Sequence, residues 1–249
     1  MTGILTSRRA LIGGMAAGSG LLLSGCDGNS DIIRSVDPLN QGLHRLLGGG
    51  RGALAREFDY GDRSPTFKMN GNTMPRSEAY QAHLASDFTN WRLVVDGLVA
   101  RPLALSLRDL AAMPSRSQVT RHDCVEGWSA IGQWIGTPLG LILRRAGVQP
   151  SARYAVFHCA DDFGGNPYYE SIDLVDAVHP QTILAWGMNG GRLPVGHGAP
   201  LRLRVERQLG YKHAKYVMRI ELRAALDDLY LGKGGYWEDH HAYQWYAGI

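Results

Sequence analysis

Residues 121–139 form the most informative stretch of this chain, and they read RHDCVEGWSAIGQWIGTPL. Its one cysteine, Cys124, follows a predicted strand over residues 117–121, and Arg121 and His122 stand close before it. A nearby cation favours the thiolate form of cysteine, and a soft thiolate is a good ligand for a redox metal. The residues alone leave three roles open for Cys124: a metal ligand, a nucleophile paired with His122, or a buried structural thiol.

Two more blocks follow the Cys124 stretch in a fixed order. The first reads HPQT over residues 179–182, and the second reads HGAPLR over 197–202 and GYKHAKYV over 210–217. Together with CVEGWS and WIGTPL they resemble the molybdenum-binding core of the sulfite oxidase family, in its bacterial branch, over roughly residues 65–225. Three ordered blocks make this resemblance far more specific than any one block. It implies an α+β domain with a mixed sheet, many short strands and many loops.

The resemblance also implies a molybdopterin cofactor whose molybdenum is bound by the Cys124 thiolate. In the family, the arginine of the Gly-Ala-Pro-x-Arg block and a lysine near Lys215 contact the pterin phosphate, and that arginine is Arg202 here. A buried phosphate needs fixed cations, backbone N–H groups and hydroxyls, which this block supplies. The remaining residues expected to bind the cofactor are Asn70, Asn72, Cys159, His197, Lys212 and His213.

Neighbouring residues carry weaker expectations. A family tyrosine that hydrogen-bonds near the metal corresponds to Tyr168 or Tyr169. Cys159 falls where one bacterial branch has a threonine near the pterin, although core packing is an alternative role. A disulfide with Cys124 is disfavoured, because it would remove the thiolate that molybdenum needs. Arg204 is expected to be a solvated arginine on an alternating strand.

The residues that follow Cys124 bear on the substrate. Sulfite oxidases surround their anionic substrate with arginines, whereas Val125, Glu126 and Gly127 follow Cys124 here, and an inward Glu126 would repel an anion. Reduction of a small S- or N-oxide is therefore slightly favoured. The alternatives are sulfite oxidation, a cofactor-binding or electron-transfer module without catalysis, and a structural lipoprotein that merely keeps the fold. The sequence lacks a Cys-x-x-Cys-His haem motif, so electrons are expected to pass through a partner protein.

The first residues predict export. Arg8 and Arg9 precede an uncharged, glycine-rich stretch, which looks like a twin-arginine signal. Leu-Ser-Gly before Cys26 resembles a bacterial lipobox, in which the cysteine is acylated and anchors the protein to a membrane. We therefore expect a signal peptide over residues 1–25, a tether and arm over 26–64, and the oxidoreductase domain over 65–249. The expected location is the periplasmic side of the inner membrane or the exterior face of the cell.

Composition agrees with a globular enzyme. The 249 residues are 45% apolar and 20% charged, which excludes a disordered chain or a polyelectrolyte tail. With 26 basic and 23 acidic residues, the chain gives no reason to expect nucleic acid as a partner. His240 and His241 lack a third ligand at a standard zinc spacing, and the aromatic C-terminus is expected to pack back on the domain.

Periodicity and turn residues predict short elements. Helices are expected over 39–47, 77–85, 106–113, 138–146 and 171–178. Strands are expected over 117–121, 153–159, 168–172, 182–188, 200–205 and 216–222, with a strand, turn and strand over 91–99.

Overall fold

The structure is a computed structural model that describes residues 52–249. Ten strands lie in this part of the chain: β1 (Leu93–Gly97), β2 (Leu103–Leu105), β3 (Arg116–Cys124), β4 (Trp128–Pro138), β5 (Tyr154–Phe163), β6 (Asn166–Asp173), β7 (Ile183–Met188), β8 (Gly191–Arg192), β9 (Arg202–Arg204) and β10 (Val217–Arg223). The helices described are α1 (Glu78–Ala85), α2 (Leu107–Ala112), α3 (Leu139–Ala146), α4 (Leu174–Ala177) and α5 (Tyr236–His241). Single 3-10 turns cover Tyr60–Asp62, Val195–His197 and Gly210–Lys212.

The strands form two sheets. The first has the order β2-β1-β10-β5-β6, in which β1 and β10 run parallel and the other pairs are antiparallel. The second has the order β3-β4-β7-β8, and β9 pairs with β7. The long β3–β4 hairpin ends with Cys124 opposite Trp128. The predicted α+β class with mixed, short-stranded sheets is confirmed.

Each sheet has an apolar core. In β1, Leu93 and Val95 are buried while Val94 is exposed, as expected when alternate side chains face opposite sides of a strand. These residues belong to the larger core, which also includes Ile142 of α3. A smaller core around Trp134 packs at the second sheet.

Local signals placed several elements correctly. Ser77 and Ser106 cap α1 and α2 by accepting hydrogen bonds from the backbone N–H groups of Tyr80 and Asp109. α3 ends at Gly147, whose φ of 70° lies in the left-handed region that favours glycine. Asn189 and Gly190, both with positive φ (50° and 84°), form the turn that joins β7 to β8.

Other elements differ from the prediction. The helix expected from residue 171 begins at Leu174, because residues 171–173 continue β6 and Asp173 caps the helix. The stretch over 91–99 holds one strand, and β2 is its hairpin partner. β4 and α5 were not anticipated. The helix predicted over 39–47, the export signal and Cys26 lie outside the described residues. Within residues 52–249, none of the helices has the length and apolar character that a bilayer crossing requires.

Candidate active site

A cleft of about 210 Å³ opens beside Cys124. Distant parts of the chain meet there: the loop before α1, the β3–β4 turn, the β5–β6 hairpin, the segment after β9 and the C-terminal segment. The expected site residues that line it are Asn70, Asn72, Cys124, Tyr168, His213 and Lys215. The structure thus brings together residues that are up to 145 positions apart, as in the contact between Asn70 and Lys215.

Cys124 sits at the tip of the β3–β4 hairpin. Gly127 closes the turn by donating its N–H to the Cys124 carbonyl oxygen (3.1 Å), with a φ of 82° that favours glycine. Burial raises the pKa of the Cys124 thiol. The expected help from Arg121 is not seen, because its guanidinium pairs with Asp123 (2.9 Å) and is largely exposed. The thiolate at this position therefore needs a stronger positive partner, such as a bound metal.

Arg202 is a buried cation without a carboxylate partner. Its side chain is fully buried, and one Nη donates to the His197 carbonyl oxygen (3.1 Å), while Nε and the other Nη have no hydrogen-bond partner. Burial and the neighbouring charge of Arg204 lower its pKa to about 9. Leaving charged donors buried and unsatisfied costs several kcal/mol. This arrangement fits a protein that binds an anion here.

Arg204 corrects an expectation. It is fully buried rather than solvated, and its Nε and Nη atoms form two hydrogen bonds to Glu206 (2.9 and 2.6 Å). Its second Nη donates to Nδ1 of His122 (3.0 Å), which places the ring proton of His122 on Nε2. Both Arg202 and Arg204 lie over the ring of Trp134, at 5.2 and 4.3 Å from its centroid. All three residues of β9 are buried, so the side chains of this strand do not alternate between core and solvent.

Two histidines near Arg202 are held neutral. Burial and the charge of Arg202 lower the pKa of His197 to about 4, and its Nδ1 has no partner. Burial also lowers the pKa of His213, and its Nε2 donates to the Gln208 carbonyl oxygen (3.0 Å). Nδ1 of His213 is therefore an unpaired acceptor at the cleft.

Lys215 organises the asparagine loop. Its Nζ donates to the carbonyl oxygens of Asn70 (2.6 Å), Asn72 and Gly196 (3.2 Å). Burial and Arg202 lower the pKa of Lys215 to about 7. The three contacts of Lys215 fix the loop that lines the cleft, and its protonated form adds positive charge to the Arg202 region.

The two candidate tyrosines face opposite sides of β6, as adjacent strand residues do. Tyr168 lines the cleft, and its hydroxyl donates to the Tyr211 carbonyl oxygen (2.9 Å). Tyr169 is not brought to the cleft: its hydroxyl donates to Asp239 (2.5 Å) and its ring stacks on Tyr230.

Lys212 is not brought to the cleft either. It is fully buried, and its Nζ donates to Glu170 and to Glu238 (2.7 Å). This ion cluster joins β6 to α5, and the two carboxylates raise the pKa of Lys212 despite its burial. Its charge is therefore engaged in holding α5 in place.

Cys159 and Asp161 lie on a bulge of β5. The register passes from His158 opposite Tyr169 to Asp162 opposite Pro167, so β5 holds extra residues there. Cys159 is a free thiol, as is Cys124, and it does not line the cleft. Asp161 does line it, and sequence reasoning missed this residue, because a bulge leaves no signal in an alternating pattern.

The C-terminal segment supplies an aromatic wall. Trp237 of α5 and Tyr243 line the cleft and stack with ring centroids 5.9 Å apart, and Phe163 contacts Trp237 (5.1 Å). The predicted packing of these aromatics on the domain is confirmed. No local motif indicates that they reach the site, because they stand far along the chain from Cys124.

The residues fit the cofactor that the resemblance implies. Arg202 is fully buried and does not line the cleft, and a phosphate that reached it would satisfy its unpaired donors. The buried thiol of Cys124 offers a soft ligand at the cleft. The described residues contain no cluster of three or more carboxylate, histidine and cysteine ligands, so one thiolate plus cofactor-borne ligands is the arrangement that fits.

Comparison with known proteins agrees with this geometry. A family model described as "oxidoreductase molybdopterin binding domain" matches residues 79–230. A putative protein-methionine-sulfoxide reductase subunit YedZ1 of Azospira oryzae is 38% identical over 98% of this chain and 88% of that protein. The protein-methionine-sulfoxide reductase catalytic subunit MsrP of Ralstonia nicotianae is 38% identical over 52% of this chain and 43% of its own length. The crystal structure of the sulfane dehydrogenase SoxCD from Paracoccus pantotrophus matches with a TM-score of 0.50 and 25% identity, over 55% of this chain and 39% of that chain.

Proposed function

This chain belongs to the family of oxidoreductases with a molybdopterin-binding domain, and we propose that it reduces the sulfoxide of oxidised methionine to the thioether. Two relatives that are 38% identical carry methionine sulfoxide reductase names, and they support this substrate class. When bound, the cofactor supplies the two electrons that this reduction consumes. The chain's own residues hold the cofactor and shape the cleft for the substrate.

The charged residues that line the cleft are the observation that favours a neutral sulfoxide as the substrate. Glu126 and Asp161 both line the cleft, and among residues 52–249 no arginine does. Lys215 also lines it, but its Nζ donates to the carbonyl oxygens of Asn70 and Gly196. Glu126 accepts a hydrogen bond from Nε1 of Trp128 (3.0 Å), which keeps its carboxyl group beside Cys124. The Glu126 carboxylate, together with Asp161 in its ionised form, disfavours an anion such as sulfite, whereas a neutral sulfoxide escapes that repulsion. The aromatic wall of Trp237 and Tyr243 suits the apolar flank of such a substrate.

Steady-state assays test this proposal directly. We expect the protein with its molybdopterin cofactor bound to reduce methionine sulfoxide when a reduced viologen dye supplies the electrons. It should oxidise sulfite much more slowly. Sulfite oxidation that exceeded sulfoxide reduction would overturn the proposed substrate class. Absence of both activities in a fully loaded protein would favour an electron-transfer or binding module.

Cofactor retention depends on Arg202. Arg202→Leu should weaken pterin binding about 10-fold to 100-fold, because a charge-assisted contact contributes about 1.5–3 kcal/mol and 1.4 kcal/mol is a factor of ten. Arg192→Leu is the matched control, since Arg192 is exposed and pairs with Asp87 on the surface. Pterin extraction and fluorescence measure the result. Equal pterin content in the two variants would contradict a phosphate site at Arg202.

We further propose that the protein acts outside the cytoplasm, on a lipid anchor at Cys26, with electrons from a separate electron-transfer protein. The twin-arginine pattern at Arg8 and Arg9 and the lipobox support this location. The word "subunit" in the names of both relatives supports a partner.

Membrane attachment tests the anchor. Cys26→Ala should move the protein from the membrane fraction to the soluble fraction, because the acyl chains supply the anchoring energy. Cys159→Ala leaves the lipobox intact and should stay with the membrane. A Cys26→Ala variant that remained fully membrane-bound would count against acylation.

A further inference from the structure

Asp161 is a buried carboxyl group whose environment the cofactor contacts do not explain. It is 5% exposed, lies on the bulge of β5 and lines the cleft that Cys124 also lines. Its Oδ2 accepts from Nδ2 of Asn72 (3.3 Å), whereas its Oδ1 has no hydrogen-bond partner. Buried polar atoms are rarely left unsatisfied without a functional reason. Asp161 thus brings a buried carboxyl oxygen without a partner to the lining of the cleft, where a bound substrate could pair with it.

The surroundings of Asp161 keep it partly protonated at mildly acidic pH. Burial raises its pKa to about 6; the Asn72 hydrogen bond and the charge of Lys215 oppose this shift, and the charge of Asp162 adds to it. A protonated Asp161 can donate from Oδ1 while Oδ2 still accepts from Asn72. The other ionisable groups near it are Tyr80, Cys159, Tyr168 and Tyr216.

Other ionisable groups of the cleft are less suited to deliver a proton. The Lys215 ammonium already donates to the carbonyl oxygens of Asn70, Asn72 and Gly196. Glu126 is exposed and bonded to Trp128. The Tyr168 hydroxyl already donates its proton in a hydrogen bond to the Tyr211 carbonyl oxygen. His213 has its ring proton on the side of Gln208, and burial lowers its pKa, so its other ring nitrogen can only accept.

We propose that Asp161 donates a proton to the sulfoxide oxygen during reduction. The reaction converts one sulfoxide, two protons and two electrons to one thioether and one water. The sulfur–oxygen bond breaks, sulfur takes up the two electrons that the reduced cofactor would supply, and the oxygen leaves as water. Asp161 supplies one of the two protons and solvent supplies the other, after which solvent reprotonates Asp161 through the cleft. This inference rests on the proposed sulfoxide reduction.

The pH profile of Asp161→Asn tests the role. In the wild type, turnover with methionine sulfoxide should fall about tenfold per pH unit above the pKa of the donor, because the protonated fraction falls at that rate. Turnover of Asp161→Asn should be about 100-fold lower than that of the wild type at pH 6, with KM nearly unchanged. It should not fall further as the pH rises, because the titrating donor is gone. Asp162→Asn is the matched control, since its side chain is exposed and accepts from the Gly165 N–H. Asp162→Asn should keep both the wild-type turnover and its fall with rising pH.

A second readout is independent of turnover. The infrared carbonyl band of a protonated buried carboxyl group should disappear as cofactor-free wild type is titrated upward through the Asp161 pKa of about 6, and it should be missing from Asp161→Asn. Bound pterin should be equal in wild type and variant. Loss of pterin from Asp161→Asn would make Asp161 a cofactor ligand and overturn the proposal.

The outcomes separate the two claims. If the wild type reduces methionine sulfoxide but the turnover of Asp161→Asn falls with rising pH in the same way, the proton-donor role is overturned and the proposed function stands. If the fully loaded wild type reduces no sulfoxide, the proposed function fails, and this role fails with it.

Discussion

Cys124→Ser is expected to lower turnover by about 100-fold or more while bound pterin stays near the wild-type level. Replacing a group that merely supports a metal ligand costs about 10-fold to 100-fold, so exchange of the ligand itself should reach at least the upper end. Serine offers a hard, weakly acidic oxygen in place of a soft thiolate. Pterin should still bind, because we assign the phosphate contact to Arg202 and not to Cys124.

Cys159→Ser is the matched control for that experiment. Its thiol is free and does not line the cleft, so the variant should keep most of its turnover. If Cys124 were only a structural thiol, Cys124→Ser would fold less well and the folded fraction would remain active. Turnover per pterin therefore distinguishes a metal ligand from a structural thiol.

Lys212→Met is expected to lower the free energy of unfolding by about 3–5 kcal/mol, because removing one partner of a buried ion pair leaves uncompensated charge. Glu170 and Glu238 would then share a fully buried site without a cation. Urea denaturation of cofactor-free protein measures the change.

Two further variants make that result interpretable. Combining Lys212→Met with Glu170→Gln and Glu238→Gln should recover much of the stability, because no buried charge of the cluster remains. Arg192→Met breaks the exposed pair with Asp87 and should change stability by less than about 1 kcal/mol. A loss from Lys212→Met no larger than that of Arg192→Met would contradict a buried ion cluster that fastens α5.

Local chemistry explains what the sequence predicted well. Ser77 and Ser106 cap helices through bonds to residues three positions away, so the signal and the contact lie in the same short window. The Cys124 block was predicted in part: the strand that leads to Cys124 was expected, whereas β4, which begins at its partner Trp128, was not.

Long-range pairing explains what the sequence could not predict. Arg204 and Lys212 are residue types that most often face solvent, and tertiary neighbours are what make them buried. Lys212 meets Glu170 and Glu238, which are 42 and 26 positions away. A basic residue in a family-like block therefore does not by itself identify a phosphate ligand.

The face of the strand on which a side chain lies explains the remaining differences between the predicted and the observed site. The sequence offered Tyr168 and Tyr169 equally, and the pleat of β6 brings one to the cleft and the other to Asp239. The bulge of β5 brings Asp161 to the same cleft, and such irregularities follow from pairing between strands rather than from composition.

X-ray absorption at the molybdenum edge tests most directly whether Cys124 binds the metal. Wild type and Cys124→Ser would be prepared with equal pterin and molybdenum, and their spectra compared in the same oxidation state. We expect one sulfur scatterer fewer in Cys124→Ser, replaced by an oxygen. Identical metal spectra in the two proteins would contradict Cys124 as the ligand that this chain provides to the metal.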